Sequence, residues 1–322
     1  MSDLIEIYAD EIFRPNKRGP AITTVGTFDG VHLGHRKILD RVSSGVAKTR
    51  VRTVVTFEPH PQNVMRHRPG IVPILTSTPE KVRILRSIGI DRVYILRFTK
   101  ELARVTAEEF LTRILIGELN TEKLVVGYNH FFGRNRKGNS EFLESVKDRY
   151  GFDLEVVGPH NMAGETISST KIRRILQSGD VEKAAQFLGR KYRLAGRVIP
   201  GVGRGRTLNF PTANLELTHP EKLIPPKGVY AAIVEVDDQM HPGMVNIGIR
   251  PTFGESKLTI EVHLINFDGD LYDQSLNLLF LKRIRDEEKF ESAQALTARI
   301  MKDRDESLRV FEANLTDTPT PR

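Results

Sequence analysis

Two histidines three residues apart, His32 and His35, follow the glycine-rich loop that starts at Gly26 and begin a helical pattern. On a helical turn, residues at this spacing project to one side, so both imidazoles are expected to face the same space. Free N–H groups at a helix start attract phosphate, and imidazole donors stabilise charge that builds up on it during transfer. The spacing indicates nucleotide chemistry, with simple turn chemistry and a metal-binding histidine pair as alternatives.

A second polar cluster begins another helical pattern further along the chain. Ser168, Ser169 and Thr170 supply hydroxyls, and Arg173 supplies a cation one turn later. Hydroxyls and a cation at a helix N-terminus can hold the outer phosphates of a triphosphate. Taken by itself, the cluster is also explained by simple helix capping.

A third candidate site combines a Gly/Arg-rich loop, 201–206, with the sequence Pro-Thr-Ala-Asn. The loop can wrap backbone N–H groups around phosphates, and the side-chain oxygens of Thr212 and Asn214 are hard ligands of the kind that Mg²⁺ accepts. A glycine-rich hairpin and an Arg-Gly stretch that contacts RNA are the alternatives. RNA-binding segments of that type usually carry repeats and interleaved aromatic residues, which this loop lacks.

The first two sites lie in the first half of the chain, where strand-like and helical patterns alternate. Short β-branched runs are typical of buried strands. Between them, Thr78-Pro79 has the pattern of an N-cap followed by proline, and Thr106–Glu109 forms a capping box. This alternation predicts an α/β fold with a doubly wound, Rossmann-like parallel sheet. The predicted strands are Ala21–Val25, Val51–Phe57, Arg92–Leu96, Lys123–Val126 and Leu154–Val157.

The second half has strand-like runs separated by Gly/Pro loops, with an Asp-Gly turn at 268–269 and no helical pattern before about Glu287. This profile predicts an antiparallel β-barrel followed by a C-terminal helix. We therefore expect two domains, 1–186 and 187–315, and a disordered tail over 316–322. The predicted strands are Tyr192–Ile199, Val229–Val236, Met244–Ile249, Lys257–Ile265 and Leu276–Leu281.

Composition excludes several kinds of site. The 322 residues include no cysteine, which excludes disulfides, thiol nucleophiles and cysteine-ligated zinc or iron–sulfur centres. The net charge of +7 lies entirely in residues 1–185, so a polyanionic ligand is expected there. The sequence shows no signal peptide and no apolar run of about 18 residues, so a cytoplasmic protein is expected.

The motifs of the first half resemble those of bacterial bifunctional riboflavin kinase/FAD synthetases. Gly26–His35 resembles the extended His-x-Gly-His signature of nucleotidyltransferases, and Ile167–Arg173 resembles their Ser-Ser-Thr-x-Ile-Arg motif. Gly127–Gly138 is similar to a segment of FAD synthetases, with His130 in place of the usual phenylalanine. The resemblance implies an adenylyltransferase in this half.

The second half resembles the riboflavin kinase signature over 201–215, where Asn209 replaces the usual glycine. Asparagine tolerates positive φ, so the turn at this position is expected to form. The matches continue in the family's order over Asn246–Phe253 and Glu261–Tyr272, and Asp273 stands where the family commonly has glycine.

The resemblance implies which residues carry each reaction. In adenylyl transfer the catalytic residues are His32 and His35, and FMN is expected near Phe57–His60 and 129–132. The implied ATP and phosphate contacts of that reaction are Gly26, Thr27, Phe28, Asp29, Gly34, Asn129, Ser168, Ser169, Thr170 and Arg173. In the kinase Glu261 is the general base, and Thr212 and Asn214 hold the metal. The implied ATP or flavin contacts of the kinase are Gly201, Gly203, Arg206, Asn246 and Arg285.

The resemblance implies two consecutive reactions. The second half would transfer the γ-phosphate of ATP to riboflavin, giving FMN, and the first half would join AMP from another ATP to FMN, giving FAD and pyrophosphate. ATP and Mg²⁺ are the implied cofactors, and a monomer or transient oligomer that binds neither nucleic acid nor membrane is expected. The alternatives are a nucleotidyltransferase for another phosphorylated substrate, an RNA-binding protein that uses the basic half, and an enzyme with one inactive domain.

Overall fold

The contacts in the computed structural model divide the chain into two compact units, Met1–Ser169 and Thr170–Arg322. Each unit contains its own sheet, parallel in the first and a closed barrel in the second. The structure describes residues 19–44, 50–65, 71–162, 164–200, 210–252 and 255–316.

Five strands form the sheet of the first unit: β1 (Ala21–Val25), β2 (Val51–Glu58), β3 (Arg92–Arg97), β4 (Thr121–Gly127) and β5 (Asp153–Val157). Their order is β3-β2-β1-β4-β5, and all four pairings are parallel. The chain therefore builds outward from β1 to β3, returns to the other side of β1 with β4, and continues to β5. The strand order reverses between β1 and β4, which are adjacent at the centre of the sheet.

Helices cover both faces of this sheet, which confirms the predicted doubly wound fold. One core cluster packs Leu39 and Leu85 against one face, and a second packs Phe110 and Leu115 against the other. Burial on both faces is what permits strands made of continuous β-branched runs. The helices are α1 (Leu33–Ser43), α2 (Pro61–Met65), α3 (Thr78–Ser87), α4 (Ala107–Glu109), which continues as a π-helical segment (Phe110–Glu118), and α5 (Ser140–Tyr150).

Two helix starts test the capping predictions. The capping box at α4 is confirmed, because Thr106 and Glu109 each bond the other's backbone N–H. The N-cap of α3 is Ser77 rather than the predicted Thr78. The physical reason is that the Thr78 hydroxyl donates to the carboxylate of Glu58.

A short hairpin, β6 (Asn161–Met162) and β7 (Glu165–Thr166), follows β5.

The second unit is a closed antiparallel barrel, as predicted. Its elements are α6 (Ser169–Gln177), α7 (Val181–Leu188), β8 (Tyr192–Ile199), β9 (Ala213–Leu217), β10 (Gly228–Val236), β11 (Gln239–Thr252), β12 (Glu255–Leu264), β13 (Ser275–Arg285) and α8 (Ala293–Thr316). The strand order around the barrel is β10-β11-β12-β9-β8-β13. The final helix packs Phe311 against Ala231 and Ile233 of β10, which confirms a barrel with a C-terminal helix.

The predicted boundary between 186 and 187 stays a prediction. The second unit contains α7 and all of α6 except its first residue, Ser169, which belongs to the first unit. The predicted tail begins at Thr316, which is the last residue of α8, and 317–322 lie outside the described residues. In the described ranges, each helix lacks either the length or the apolar composition of a membrane span.

A buried ion pair joins α8 to the barrel. Nε of Arg285 on β13 lies 2.8 Å from Oδ2 of Asp303, and these side chains are 10% and 3% exposed. Nε of Arg299 lies 3.3 Å from the other carboxylate oxygen. The structure thus places Arg285, a predicted nucleotide or flavin contact, in an ion pair with the final helix, and its ligand contact stays a prediction.

We predict that Asp303→Ala lowers the free energy of unfolding of the barrel unit by about 3–5 kcal/mol, because it leaves the Arg285 guanidinium buried without a counter-charge. Urea unfolding measures the change. Asp305→Ala is the matched control, since Asp305 is exposed and its pair with Arg304 contributes about 1 kcal/mol or less. Equal, small losses for the two variants would contradict the prediction.

Candidate active sites

A cavity of about 660 Å³ lies at the carboxyl ends of the central strands of the first unit. It is lined by Val25 at the end of β1, Phe57 near the end of β2 and Gly127 at the end of β4. Open α/β sheets bind ligands where their strand order reverses, and this cavity occupies that position. Its volume is within the range of small-molecule sites.

The structure brings five of the predicted nucleotide residues to this cavity. They come from the loop after β1, the first turn of α1 and the loop after β4: Gly26, Thr27, Phe28, His35 and Asn129. The two loops are about a hundred residues apart in the sequence, and the pairing of β1 with β4 places them side by side. This juxtaposition supports the prediction that both loops contact one ligand.

The loop after β1 forms a tight turn. The N–H of Val31 donates to the carbonyl of Phe28 at 3.0 Å, and Gly30 has a φ of 87°. A type II turn requires this left-handed value at its third residue, which favours glycine. Phe28 and Val31 have φ of 45° and 36°, which is strained for residues with a Cβ, most of all for the β-branched valine. The strain lies directly before His32.

The two histidines have different positions at the start of α1. His32 is buried and is the N-cap, and its Nδ1 accepts a hydrogen bond from the N–H of His35 at 3.2 Å. Since Nδ1 accepts, the proton of the neutral His32 ring is on Nε2. The two rings are stacked with centroids 3.6 Å apart, and His35 lines the cavity. His35 therefore faces the ligand space, and His32 fixes the helix start behind it.

Asp29 is turned into the body of the unit. It is 2% exposed, and its Oδ1 accepts hydrogen bonds from the N–H groups of Leu75 and Thr76 at 2.9 and 3.0 Å. It is absent from the described lining of the cavity. These contacts hold the loop in place, and a nucleotide contact by Asp29 stays a prediction.

The Ser-Ser-Thr segment approaches the same loop. The hydroxyl of Ser169 donates to the carbonyl of Asp29 at 2.8 Å. A Cβ at Gly34 would come within 3.4 Å of the Ile167 carbonyl and 3.1 Å of the His32 ring, so glycine permits this close approach. The remaining predicted residues of the segment, whose phosphate contacts stay predictions, are Ser168, Thr170 and Arg173.

Much of the cavity lining is aromatic, which sequence analysis anticipated at Phe28, at Phe57 and around Asn129 but not at Phe98 or Phe110. The ring centroids of Phe57 and Phe98 are 5.6 Å apart, those of Phe57 and Phe110 6.4 Å, and those of Phe110 and Phe132 5.3 Å. Rings at these separations form a continuous aromatic wall. A flat aromatic ligand suits such a wall.

His130, which replaces the phenylalanine of the family pattern, lies beside this wall. Its ring centroid is 5.7 Å from that of Phe132, and it lines the cavity. Burial lowers the pKa of its imidazole from 6.5 to about 4. The ring is therefore neutral at neutral pH.

We predict that His130 makes the first unit less stable as the pH falls. The unfolded chain binds a proton near pH 6.5, whereas the folded chain binds it only near pH 4. The contribution of the neutral ring to the free energy of unfolding is therefore fully present above pH 6.5. It decreases as the pH falls toward 4, by at most about 1.4 kcal/mol per pH unit. Urea unfolding at pH 7 and pH 5 should show a smaller loss for His130→Phe than for the wild type. Equal losses would refute the prediction.

The candidate kinase residues form one row across three strands of the barrel. Glu261 of β12 pairs directly with Asn246 of β11 on one side and with Asn214 of β9 on the other. Directly paired residues of antiparallel strands point to the same face, with Cβ atoms about 4.5–5.5 Å apart. The alternate residues Val262 and Ala213 are buried. The row therefore lies on the outer face of the barrel.

His263, which sequence analysis did not single out, contacts the segment that carries Thr212. It follows Glu261 by two residues and so shares its face of β12. Its Nδ1 lies 2.8 Å from the carbonyl oxygen of Pro211, and because a carbonyl only accepts, Nδ1 carries the proton. The contact places Pro211, and with it Thr212, next to the row. The sequence signal that could have identified His263 is its spacing of two residues from Glu261.

Two oxygen donors at this row suit Mg²⁺. The hydroxyl of Thr212 and the amide oxygen of Asn214 are hard donors, and Asn214 pairs directly with Glu261, the predicted base. In the described ranges no cluster of three or more His, Asp or Glu side chains is able to hold a metal by itself. The donor set therefore fits an ion whose remaining ligands are substrate phosphates.

Two departures from the family pattern fall in this unit. Asp273 has a φ of 64°, the left-handed conformation that favours glycine and that aspartate tolerates better than most residues, which explains the exchange. Nε of Arg197 also donates to its carbonyl at 3.2 Å. The other departure, Asn209, and three predicted contacts lie outside the described residues: Gly201, Gly203 and Arg206.

Family models match two consecutive parts of the chain. The model for FAD synthetase matches residues 14–171, and the model for riboflavin kinase matches residues 188–311. The two matches follow each other in the same order as the two structural units.

Curated proteins are similar to nearly the whole chain. The bifunctional riboflavin kinase/FMN adenylyltransferase of Pseudomonas fluorescens is 38% identical over 292 residues, covering 90% of this chain and 92% of that protein. The protein of the same name from Bacillus subtilis is 34% identical over 300 residues, covering 92% and 94%.

Among solved structures, one described as a macrolide-efflux protein from Streptococcus pneumoniae has a TM-score of 0.83 and 29% sequence identity. The similarity covers 91% of this chain and 95% of that chain. Its described activity belongs to that protein, and the similarity concerns the fold of both units.

Proposed function

The chain belongs to the family of bifunctional riboflavin kinase/FMN adenylyltransferases, and from this membership we propose that its two units hold separate active sites. It phosphorylates riboflavin with ATP to FMN, and it adenylylates FMN with ATP to FAD and pyrophosphate. Riboflavin, FMN and ATP are its small-molecule substrates. The observation that carries the assignment of adenylyl transfer is the cavity, where His35 and Asn129 meet an aromatic wall.

In adenylyl transfer, an oxygen of the FMN phosphate attacks the α-phosphorus of ATP. The bond from that phosphorus to the oxygen bridging the α- and β-phosphates breaks, and pyrophosphate leaves with the electron pair. We assign the ATP phosphates to the loop after β1, where backbone N–H groups at the start of α1 and the imidazole of His35 stabilise the added charge. We assign the flavin ring to the aromatic wall beside Phe57 and Phe132.

In the kinase reaction, the ribityl 5′-hydroxyl oxygen of riboflavin attacks the γ-phosphorus of ATP while Glu261 accepts the proton of that hydroxyl. The bond between that phosphorus and the oxygen bridging to the β-phosphate breaks, and ADP leaves. Thr212 and Asn214 would hold Mg²⁺, which neutralises phosphate charge when bound. The direct pairing of Glu261 with Asn214 supports this assignment, because it places base and metal ligand side by side.

The remaining proposals concern partners and organisation. We assign the charge excess of the first half to ATP, FMN and pyrophosphate, all of which are anionic, and expect no nucleic-acid partner. We also expect a cytoplasmic monomer or transient oligomer with its domain boundary between 186 and 187. The alternative functions are not favoured, because both family models describe flavin-nucleotide enzymes.

A substrate panel tests the assignment of the cavity. The protein is incubated with ATP, Mg²⁺ and FMN, pantetheine phosphate or nicotinate mononucleotide, and pyrophosphate release is measured. We expect release with FMN and at least about a hundredfold less with the other two, because neither has a tricyclic ring for the aromatic wall. Comparable release with a non-flavin phosphate would contradict the proposal.

A further inference from the structure

Lys81 of α3 is a buried lysine that the proposed mechanism does not use. It is 5% exposed, in a region where lysine is seldom found without partners. Burial lowers the pKa of its ammonium group, and the nearby carboxylates of Asp29 and Glu58 oppose that shift. Burying a lysine at this depth has a stability cost, which points to a purpose for it.

A chain of two hydrogen bonds leads from Lys81 to the cavity. Its Nζ donates to Oγ1 of Thr56 at 3.1 Å, and that hydroxyl donates to the carbonyl oxygen of Thr27 at 3.1 Å. Thr56 is fully buried within β2, and Thr27 lines the cavity. The ammonium group therefore acts on the backbone of the loop through one intervening hydroxyl.

The same loop is held a second time through Asp29. Its carboxylate accepts from the backbone of Leu75 and Thr76, and Oγ1 of Thr76 accepts from the N–H of Gly30 at 3.0 Å. The electrostatic attraction between Asp29 and Lys81 adds a counter-charge to this buried carboxylate. Two separate attachments, one on each side of Phe28, thus converge on the lysine.

The loop needs such attachments because it is strained. Phe28 and Val31 have positive φ values, and such conformations persist only where the surroundings hold them. The turn is followed directly by His32, which caps α1 and stacks on His35. A relaxed turn would shift His35 relative to the cavity, and misplacement by about 1 Å can cost about a hundredfold in rate.

We propose that Lys81 is a positioning residue for adenylyl transfer, which acts with Thr56 and Asp29 to hold the strained turn from Thr27 to Val31 and thereby places His35 at the cavity. The proposal rests on the function assigned to that cavity above. It gives a role to a buried lysine that is not among the described residues lining the cavity.

The test uses three variants of the full chain. Lys81→Met removes the charge and keeps the length of the side chain. Thr56→Val removes the intervening hydroxyl and keeps the shape of the side chain. It therefore tests the proposal even if Lys81→Met does not fold. Arg83→Met removes an exposed cation from the same helix and is the matched control. For each variant, kcat and KM of FMN adenylylation are measured, together with amide hydrogen exchange of the peptide covering 26–35 and the riboflavin kinase rate.

We expect Lys81→Met to lower kcat of adenylylation by about 10- to 100-fold while KM for ATP changes less than about threefold. Thr56→Val should lower kcat in the same direction by a smaller factor. Both should speed hydrogen exchange over 26–35 and leave the kinase rate unchanged, and Arg83→Met should change none of these. A purely structural role would instead lower the fraction of active enzyme without faster local exchange in the folded protein.

The inference is overturned if Thr56→Val leaves both kcat and the exchange of 26–35 unchanged. It is also overturned if Lys81→Met loses activity only in proportion to its unfolded fraction. His35→Ala separates this failure from that of the proposed function. If His35→Ala also leaves adenylylation intact, the cavity assignment itself is wrong, whereas if it lowers adenylylation, only the role of Lys81 is refuted.

Discussion

Replacing Glu261 with glutamine is expected to stop FMN formation while the same protein continues to convert added FMN into FAD. Glutamine preserves the size of the side chain and the pairing of β12 with β9 and β11, so the barrel should fold normally. What is lost is a carboxylate able to accept the proton of the riboflavin hydroxyl. Removal of a general base typically costs about 10²- to 10⁴-fold in rate.

The measurement compares two assays on one preparation, riboflavin with ATP and FMN with ATP, each followed by separation of the flavins. Glu216→Gln is the matched control, because Glu216 is an exposed glutamate on β9 outside the row of paired residues. It should leave both rates unchanged. Loss of both activities in Glu261→Gln would contradict the separation of the two sites, and an intact kinase rate would remove Glu261 from its assigned role.

His35→Ala is expected to have the opposite effect, lowering FAD formation from FMN by about 10²- to 10³-fold while FMN formation continues. His35 lines the cavity, and loss of one preorganised donor toward transferring phosphate has consequences of this size. The effect should appear in kcat more than in KM, because the donor acts where charge develops in the transition state.

The neighbouring residue on α1 provides the control for this variant. Arg36 is exposed and forms a surface ion pair with Asp40, so Arg36→Ala should leave both activities close to wild type. If His35→Ala and Arg36→Ala behave alike, the histidine has no special role in the cavity. If His35→Ala stops the kinase as well, the two reactions share a site.

Local sequence patterns were sufficient to predict most elements of both units. The five predicted parallel strands all appear, with bounds that differ by at most two residues at either end. Buried strands of this kind are marked by β-branched residues and bounded by polar ones. The capping box at Thr106 appears for a similarly local reason, since its two reciprocal hydrogen bonds depend on residues three apart.

Pairing between distant strands was harder to predict. β9 was missed because Ala213–Leu217 continues directly from the Pro-Thr segment that was interpreted as part of a ligand-binding loop; the strand pairs with β8 at four positions and with β12 at two. The Asp-Gly sequence at 268–269 lies between β12 and β13, and these strands are not neighbours in the barrel. A tight hairpin joins β10 to β11 at Asp237–Asp238, where both residues have positive φ as a type I′ turn requires.

In the candidate sites too, local motifs were predicted from the sequence, whereas contacts between distant segments were not. The local motifs pointed to the loop after β1 and to Asn214, whereas Glu261 was predicted only through the resemblance to the family. The aromatic wall combines Phe57, Phe98 and Phe110 from three separate segments, and only the packing of the π-helical segment against the sheet joins them. From the sequence, Lys81 is only a basic residue next to Val82 and one helical turn before Leu85. Its burial depends on the tertiary fold, which the local pattern does not predict.

One time course tests the central claim, that a single chain performs two consecutive reactions in separate sites. The protein is incubated with riboflavin, excess ATP and Mg²⁺, and the flavins are separated by chromatography at successive times. We predict that FMN forms first, that FAD follows at its expense, and that mixing Glu261→Gln with His35→Ala restores FAD synthesis from riboflavin that neither variant achieves alone. Appearance of neither FMN nor FAD in the wild-type reaction, or failure of the mixture to make FAD, would contradict the account.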